Sequence, residues 1–236
     1  MILQIGVSLM HIYTCESGLE VPSVTTILKI LGSEEIIRWA NYLGTQFINY
    51  DEEMDRTADI GTIIHSCVQH VVDPDAPNEV VEFKNEFDAD YYARITERFR
   101  KFISHFSYRT IFTEKSLVSE SLGYGGTLDW YCEMAGFKML NDFKSSKQVR
   151  LKHLLQLGGY YSLLKEHGYD VDGASIIIIN ARDCRMFPIR KEPLIDLSKK
   201  FNILASIYKE LEGGNLKYEL DKDFLDRLKY KTNTTT

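Results

Sequence analysis

The chain has 236 residues, of which 44% are hydrophobic and 26% charged, with a formal net charge of −6. These values suit one globular domain with a substantial core, exclude a membrane-spanning apolar run, and argue against a protein that coats nucleic acid through a generally positive surface. The first nine residues are apolar but lack a basic flank, so they do not read as a signal peptide. Cysteines at positions 15, 67, 132 and 184 include no Cys-x-x-Cys pair and read as buried free thiols rather than a zinc site.

A short strand or hairpin is expected near 11–20, after which Ser23 can cap a helix over 23–31 that Gly32 ends. A second helix is expected over 34–42. A third, over 58–72, carries Ile60, Ile64, Val68 and Val71 on one face and Thr62, His65 and Gln69 on another. Asp73-Pro74-Asp75-Ala76-Pro77 breaks that helix and reads as a mobile loop. In the long helix over 82–106, Tyr92, Ile95, Phe99, Phe102 and Phe106 recur at three- and four-residue steps, the pattern of a core stripe rather than of base-stacking residues. Strands follow over 111–120, 124–134 and 137–145, then a helix over 151–167 and an apolar strand over 174–180 covered on both faces. An edge strand limited by Pro188 is expected over 185–189, and a last helix over 194–211 that stops at Gly213-Gly214. Residues after Tyr230 read as a tail. The resulting α-βββ-α-β order predicts a mixed α/β (α+β) fold.

The chemistry concentrates between Gly126 and Tyr160. If Ala135-Gly136 is the centre of the turn, strand partners have numbers that sum to 271, which sets Asp129 opposite Asp142 and Thr127 opposite Lys144. Opposed side chains have Cβ atoms about 4.5–5.5 Å apart, so both carboxylates can hold one hard cation. Lys144, two residues from Asp142, projects from the same face. Two carboxylates inside apolar strands are costly to bury unless something charged meets them. Lys138, Lys144, Lys147, Arg150 and Lys152 form a local basic strip with Asp142 as its one acid, where phosphates would be expected. Gln156 and Tyr160 lie four apart, on one helix face. Gly158 and Gly159 are poor helix residues unless something approaches closely, whether a sheet or DNA.

In order, these motifs are Gly126-Thr127-Leu128-Asp129, then Asp142-Phe143-Lys144, then Gln156-Leu157-Gly158-Gly159-Tyr160. This series resembles the GxxD, (D/E)xK and QxxxY pattern of PD-(D/E)XK nucleases of the RecB-type exonuclease branch. Asn141 stands where the family's proline usually does. Gly61-Thr62-Ile63-Ile64-His65 resembles the branch's G-x-x-x-H helix, and Thr113-Glu114-Lys115 its strand-borne glutamate. Val21-Pro22-Ser23-Val24-Thr25 is similar to a segment of the mitochondrial genome maintenance exonuclease and its phage relatives.

The resemblance implies a restriction-endonuclease-like core at 108–212, an N-terminal helical lobe at 1–107 and an extension at 213–236, within a single domain. It implies one or two Mg²⁺ or Mn²⁺ ions held by His65, Glu114, Asp129, Asp142 and the Phe143 carbonyl, with no iron–sulfur cluster. Lys144 would position the attacking water, Gln156 and Tyr160 would fix the phosphate or the lysine, and Lys147, Arg150 and Lys152 would contact DNA. The implied activity is DNA exonuclease, preferring single-stranded ends, in phage or bacterial replication, recombination or repair within the cytoplasm. The rival readings are a catalytically silent nucleic-acid-binding module on the same fold and a structure-specific endonuclease. Taken alone, Glu114 on an edge strand reads as solvent-facing and His65 as a packing residue; Glu120 is the alternative acid.

Overall fold

A computed structural model describes residues 12–32, 34–76 and 86–212. The expected glycine stop at 213–214, the tail, the apolar start and the stretch 77–85 lie outside the described residues. The chain divides into two compact units, Met1–Ala205 and Ser206–Thr236; of the second, the end of the last helix is described. Among the described residues no helix is long and apolar enough to cross a membrane.

The N-terminal segment is a two-stranded antiparallel sheet, β1 (Ile12–Thr14) and β2 (Glu20–Pro22), followed by α1 (Val24–Ile27) and a 3₁₀ turn at Leu28–Leu31. The Ser23 hydroxyl accepts the Thr26 N–H at 2.9 Å, as expected of a cap, and Gly32 closes the turn with a φ of 59°. Next come α2 (Glu34–Thr45) and α3 (Tyr50–Val72). Helix α3 begins eight residues before the apolar periodicity does. Its first two turns are exposed, and local effects start it: Asn49 Oδ1 accepts the Asp51 N–H at 2.9 Å, and Asp51, Glu52 and Glu53 sit at the positive end of the helix dipole. Helix α4 is described over Glu86–Ile103.

The main sheet has five strands in the order β3-β4-β5-β6-β7: Tyr108–Ser119, Tyr124–Met134, Phe137–Lys144, Gly173–Ile179 and Cys184–Arg190. Only β5 and β6 run parallel, joined through α5 (Leu151–Glu166) as a parallel connection requires. Pro188 lies on edge strand β7, where a missing N–H is tolerated. The last described helix is α6 (Lys191–Glu212), with Pro193 in its first turn. A five-stranded mixed sheet flanked by helices is the expected fold class.

Helices α3 and α4 cover one side of the sheet. Ile64, Cys67 and Val68 of α3 and Ile95 and Phe99 of α4 are buried with Trp130, Phe143, Ile177 and Ile179 of the strands. Phe99 meets Phe143 edge-on at 5.7 Å between ring centres, so the aromatic stripe of α4 is core. Every residue of β6 is buried, which accounts for its unbroken apolar run. Cys15, Cys67 and Cys132 are buried free thiols, while Cys184 is half-buried. Close helix packing uses the glycine pair of α5. A Cβ on Gly158 would stand 2.5 Å from the Leu197 carbonyl of α6, and one on Gly159 would stand 2.8 Å from the Phe201 ring. What approaches these glycines is α6, rather than the sheet.

The β4–β5 register keeps the predicted sum of 271 from Met134–Phe137 to Trp130–Asn141. Ala135 and Gly136 have φ of 50° and 84°, a two-residue turn with both centres left-handed. The ladder stops at Trp130–Asn141, one rung before the acids, so Asp129 and Asp142 stand where the two strands begin to part.

Candidate metal centre

Five elements deliver the site: α3 brings His65, β3 Glu114, β4 Asp129, β5 Asp142 to Lys144, and α5 Gln156 and Tyr160. One donor atom each from His65, Glu114 and Asp129 lies within 4.8 Å of the others. His65 Nδ1 is 3.1 Å from Glu114 Oε1 and 3.7 Å from Asp129 Oδ1. Asp129 Oδ2 reaches across the parting strands to accept the Phe143 N–H at 2.7 Å, which fixes the carboxylate. The Phe143 ring is core, packed between Trp130 and Phe99.

Glu114 reaches the site by an unusual backbone. Thr113 pairs with Trp130 and Lys115 with Leu128, leaving Glu114 at the level of Asp129 with a φ of 44°. A non-glycine residue in this left-handed region is strained by roughly 1–3 kcal/mol, a condition that gathers at functional sites. A register shift between Thr110 and Phe112 precedes it on the same strand.

Asp142 is fully buried; Lys144 Nζ lies 2.6 Å from its Oδ2 as a charge-assisted pair, while Oδ1 has no partner among the described residues. Burial pushes the Asp142 carboxyl up to about 6, despite the pull of Lys144 in the other direction. Asp129 is also raised by burial, against the opposing effect of His65 and Lys144. Burial opposes the charging of His65, but Asp129 and Glu114 outweigh it and hold the imidazole up to about 9. Lys144 is disfavoured as a cation by burial, yet Asp142 and Asp129 raise its pKa overall.

On α5, Gln156 Nε2 donates to Tyr160 Oη at 2.9 Å. Burial, then Asp129 and Asp142, raise the Tyr160 phenol well above its ordinary value, so it keeps its proton. Its ring lies where a Cβ on Gly126 would stand, at 2.6 Å. The basic strip begins here as well: the Lys147 carbonyl accepts from Arg185 at 3.2 Å, and Arg150 is the N-cap residue of α5. Lys152 is lowered by burial and by Arg150. Glu120 lies away from this cluster, hydrogen-bonded to Ser17 at 2.5 Å.

Two residues near the site, His153 and Tyr13, escaped the sequence reading, as did the contacts of a third, Asn141. His153 shares the face of Gln156 and Tyr160 at spacings of three and seven, and its Nδ1 accepts the Arg150 N–H at 3.3 Å. Burial and Lys144 hold it down to about 4, so it is neutral. Helical spacing back from Gln156 is the signal that could have found it. Tyr13 hydrogen-bonds Thr127 at 2.9 Å with its ring against Gly125. Asn141 is fully buried and accepts from Ser175 at 2.6 Å, tying β5 to β6 beside the acids. No sequence pattern identified either of these contacts.

No family model matches the chain, and no curated protein matches it. Among solved structures it is similar to a "Putative exonuclease" from Eubacterium rectale at 14% identity and a TM-score of 0.46, over 68% of this chain and 69% of that one. It is also similar to SSO0001 at 12% identity and a TM-score of 0.30, over 60% of this chain and 74% of that one. Likenesses this distant carry no information on activity, and the chemistry rests on the residues above.

Proposed function

We propose that the protein is a metal-dependent deoxyribonuclease acting as an exonuclease on single-stranded DNA ends. The carrying observation is Asp142, a fully buried carboxylate paired through one oxygen with Lys144 and with the other oxygen unpartnered among the described residues, next to a clustered His, Glu and Asp. Three carboxylates and an imidazole fit a hard divalent cation such as Mg²⁺ or Mn²⁺. His65, Glu114, Asp129, Asp142 and the Phe143 carbonyl are the groups that would hold it, as one ion or two. A divalent cation in such a set supplies an acidified water as nucleophile and positive charge at the phosphate oxygens.

The chain's own groups do the rest. Lys144 stays protonated and offsets the negative charge that grows on the phosphate during attack. Gln156 donates to Tyr160, which frees the phenol's own hydrogen for a phosphate oxygen and fixes the ring's position. Lys147, Arg150 and Lys152 lie around the start of α5, where successive phosphates would be neutralised. Preference for single strands, and a cytoplasmic role in phage or bacterial replication, recombination or repair, rest on the motif resemblance.

The test is cleavage of end-labelled linear single- and double-stranded DNA, beside a closed circle, with Mg²⁺ or Mn²⁺. End-dependent cleavage that disappears in Asp142→Ala is expected. Cleavage of the circle would establish an endonuclease instead, and folded, metal-loaded protein that cleaves nothing would leave a binding module.

A further inference from the structure

A cleft of about 890 Å³ opens beside His65 and Glu114, between α3 and the β3–β4 edge. Its α3 wall presents Gly61, Thr62, Ser66 and Gln69, and its strand wall presents Thr113, Ser116 and Thr127. Among the described residues no lysine or arginine lines it. A strand's successive phosphates need lysine or arginine, and the lysines and arginines described at this site lie elsewhere, at Lys144 and around the start of α5. Hydroxyls and an amide instead match the neutral parts of a nucleotide, whose base and sugar offer donors and acceptors without charge.

Gly61 identifies the closest point. It lies in the interior of the 23-residue helix α3, where glycine is about 1 kcal/mol worse than alanine. The packing glycines of this chain, such as Gly126 and Gly158, have neighbours 2.5 to 2.6 Å from where a Cβ would be. Gly61 has nothing within 4 Å of that point. Packing among the described residues therefore gives no reason for a glycine here. It is one helical turn before His65, so the bare backbone opens into the cleft beside the metal centre.

We propose that this cleft binds the base and sugar of the nucleotide flanking the scissile phosphate, with Gly61 left bare so that they can lie against the helix. This rests on the nuclease reading and adds to it the division of the site: neutral nucleoside against α3, phosphates against the start of α5.

The experiment compares wild type with Gly61→Ala and Gly61→Leu. Both substitutions are helix-favouring, and the Tm of Gly61→Ala should rise by about 2–4 °C. Binding of a short single-stranded oligonucleotide is measured in Ca²⁺, cleavage in Mn²⁺, and Mn²⁺ affinity alone by calorimetry. Gly61→Leu should raise the oligonucleotide's Kd and KM on the order of tenfold while Mn²⁺ affinity is unchanged. Wild type should also bind an oligonucleotide with an abasic site at the flanking position about tenfold more weakly than the intact one, and Gly61→Leu should not distinguish them. Wild-type cleavage with Gly61→Leu binding and cutting equally well overturns the subsite and leaves the nuclease intact. So does loss of Mn²⁺ affinity in the variant, which would place the effect at His65. Wild type that neither binds nor cleaves DNA overturns both.

Discussion

Replacing Asp142 with asparagine should make the metal-free protein more stable while abolishing cleavage. Its carboxyl is fully buried and raised from 3.8 to about 6 by that burial, with the attraction of Lys144 already included. Because the folded-state value lies above the unfolded one, the folded protein holds this proton longer. The group's contribution is fully present below about pH 4 and is lost as pH rises through about 6. Above pH 7 the ionised carboxylate therefore weakens the fold by about 3 kcal/mol. Asparagine has the same shape and no charge to desolvate, so Asp142→Asn should recover up to that amount, a Tm increase of about 6–12 °C. Thermal unfolding of both proteins in EDTA at pH 4, 6 and 7.5 measures it. The gap should be greatest at pH 7.5, still most of that at pH 6 and small at pH 4, because it opens between the unfolded and folded values. Saturating Mn²⁺ should reverse the order by stabilising wild type alone. A variant less stable than wild type at pH 7.5, or a gap independent of pH, would show that Asp142 is satisfied within the fold and would falsify the reasoning that makes it a ligand.

His65 is held up to about 9, so at neutral pH a cation must displace its proton. Calorimetry should give Mn²⁺ affinity rising about tenfold per pH unit between 6.5 and 8.5, a slope that His65→Ala removes; affinity flat with pH in wild type counts against this ligand. Glu114 has a left-handed backbone, so Glu114→Gly should be about 1 kcal/mol more stable than Glu114→Ala, the reverse of the usual order in a strand. Chemical denaturation measures the difference, and a more stable alanine variant would mean the residue is unstrained. Lys144→Met should lower kcat by a factor on the order of 100 or more with little change in Mn²⁺ affinity. A variant that binds the ion poorly but turns over normally once saturated would make Lys144 an organiser of Asp142 only.

The parts of this molecule that were legible in its sequence are those governed by periodicity and local chemistry. Ser23 and Gly32 bracket the first helical segment, and the Ala135-Gly136 turn fixes the 271 register, because each depends on residues within a few positions. The unbroken Ile176–Ile179 run signals β6 because burial on both faces requires it. The start of α3 was invisible to periodicity, since an exposed first turn set by Asn49 and three acids leaves no apolar pattern. At the centre, the identity of the acids followed from motif order, while their arrangement did not. The ladder's early end, the backbone of Glu114 and the contact of His65 with it at 3.1 Å arise from sheet irregularity and long-range packing.

The glycine pair of α5 has a mechanical corollary. Gly158 meets the backbone of α6 on one side of the helix, while Gln156 and Tyr160, two residues away in either direction, carry the polar contacts of the site on another. A rigid helix transmits displacement: a methyl group at Gly158, at 2.5 Å from the Leu197 carbonyl, forces the two helices apart and moves Tyr160 with them. The seam between α5 and α6 is thus a tuning screw for the spacing between the phenol and the acids. Substitutions at this seam, far from the clustered acids, therefore alter the centre's geometry, and a smaller residue at Phe201 would make room for a side chain at Gly159.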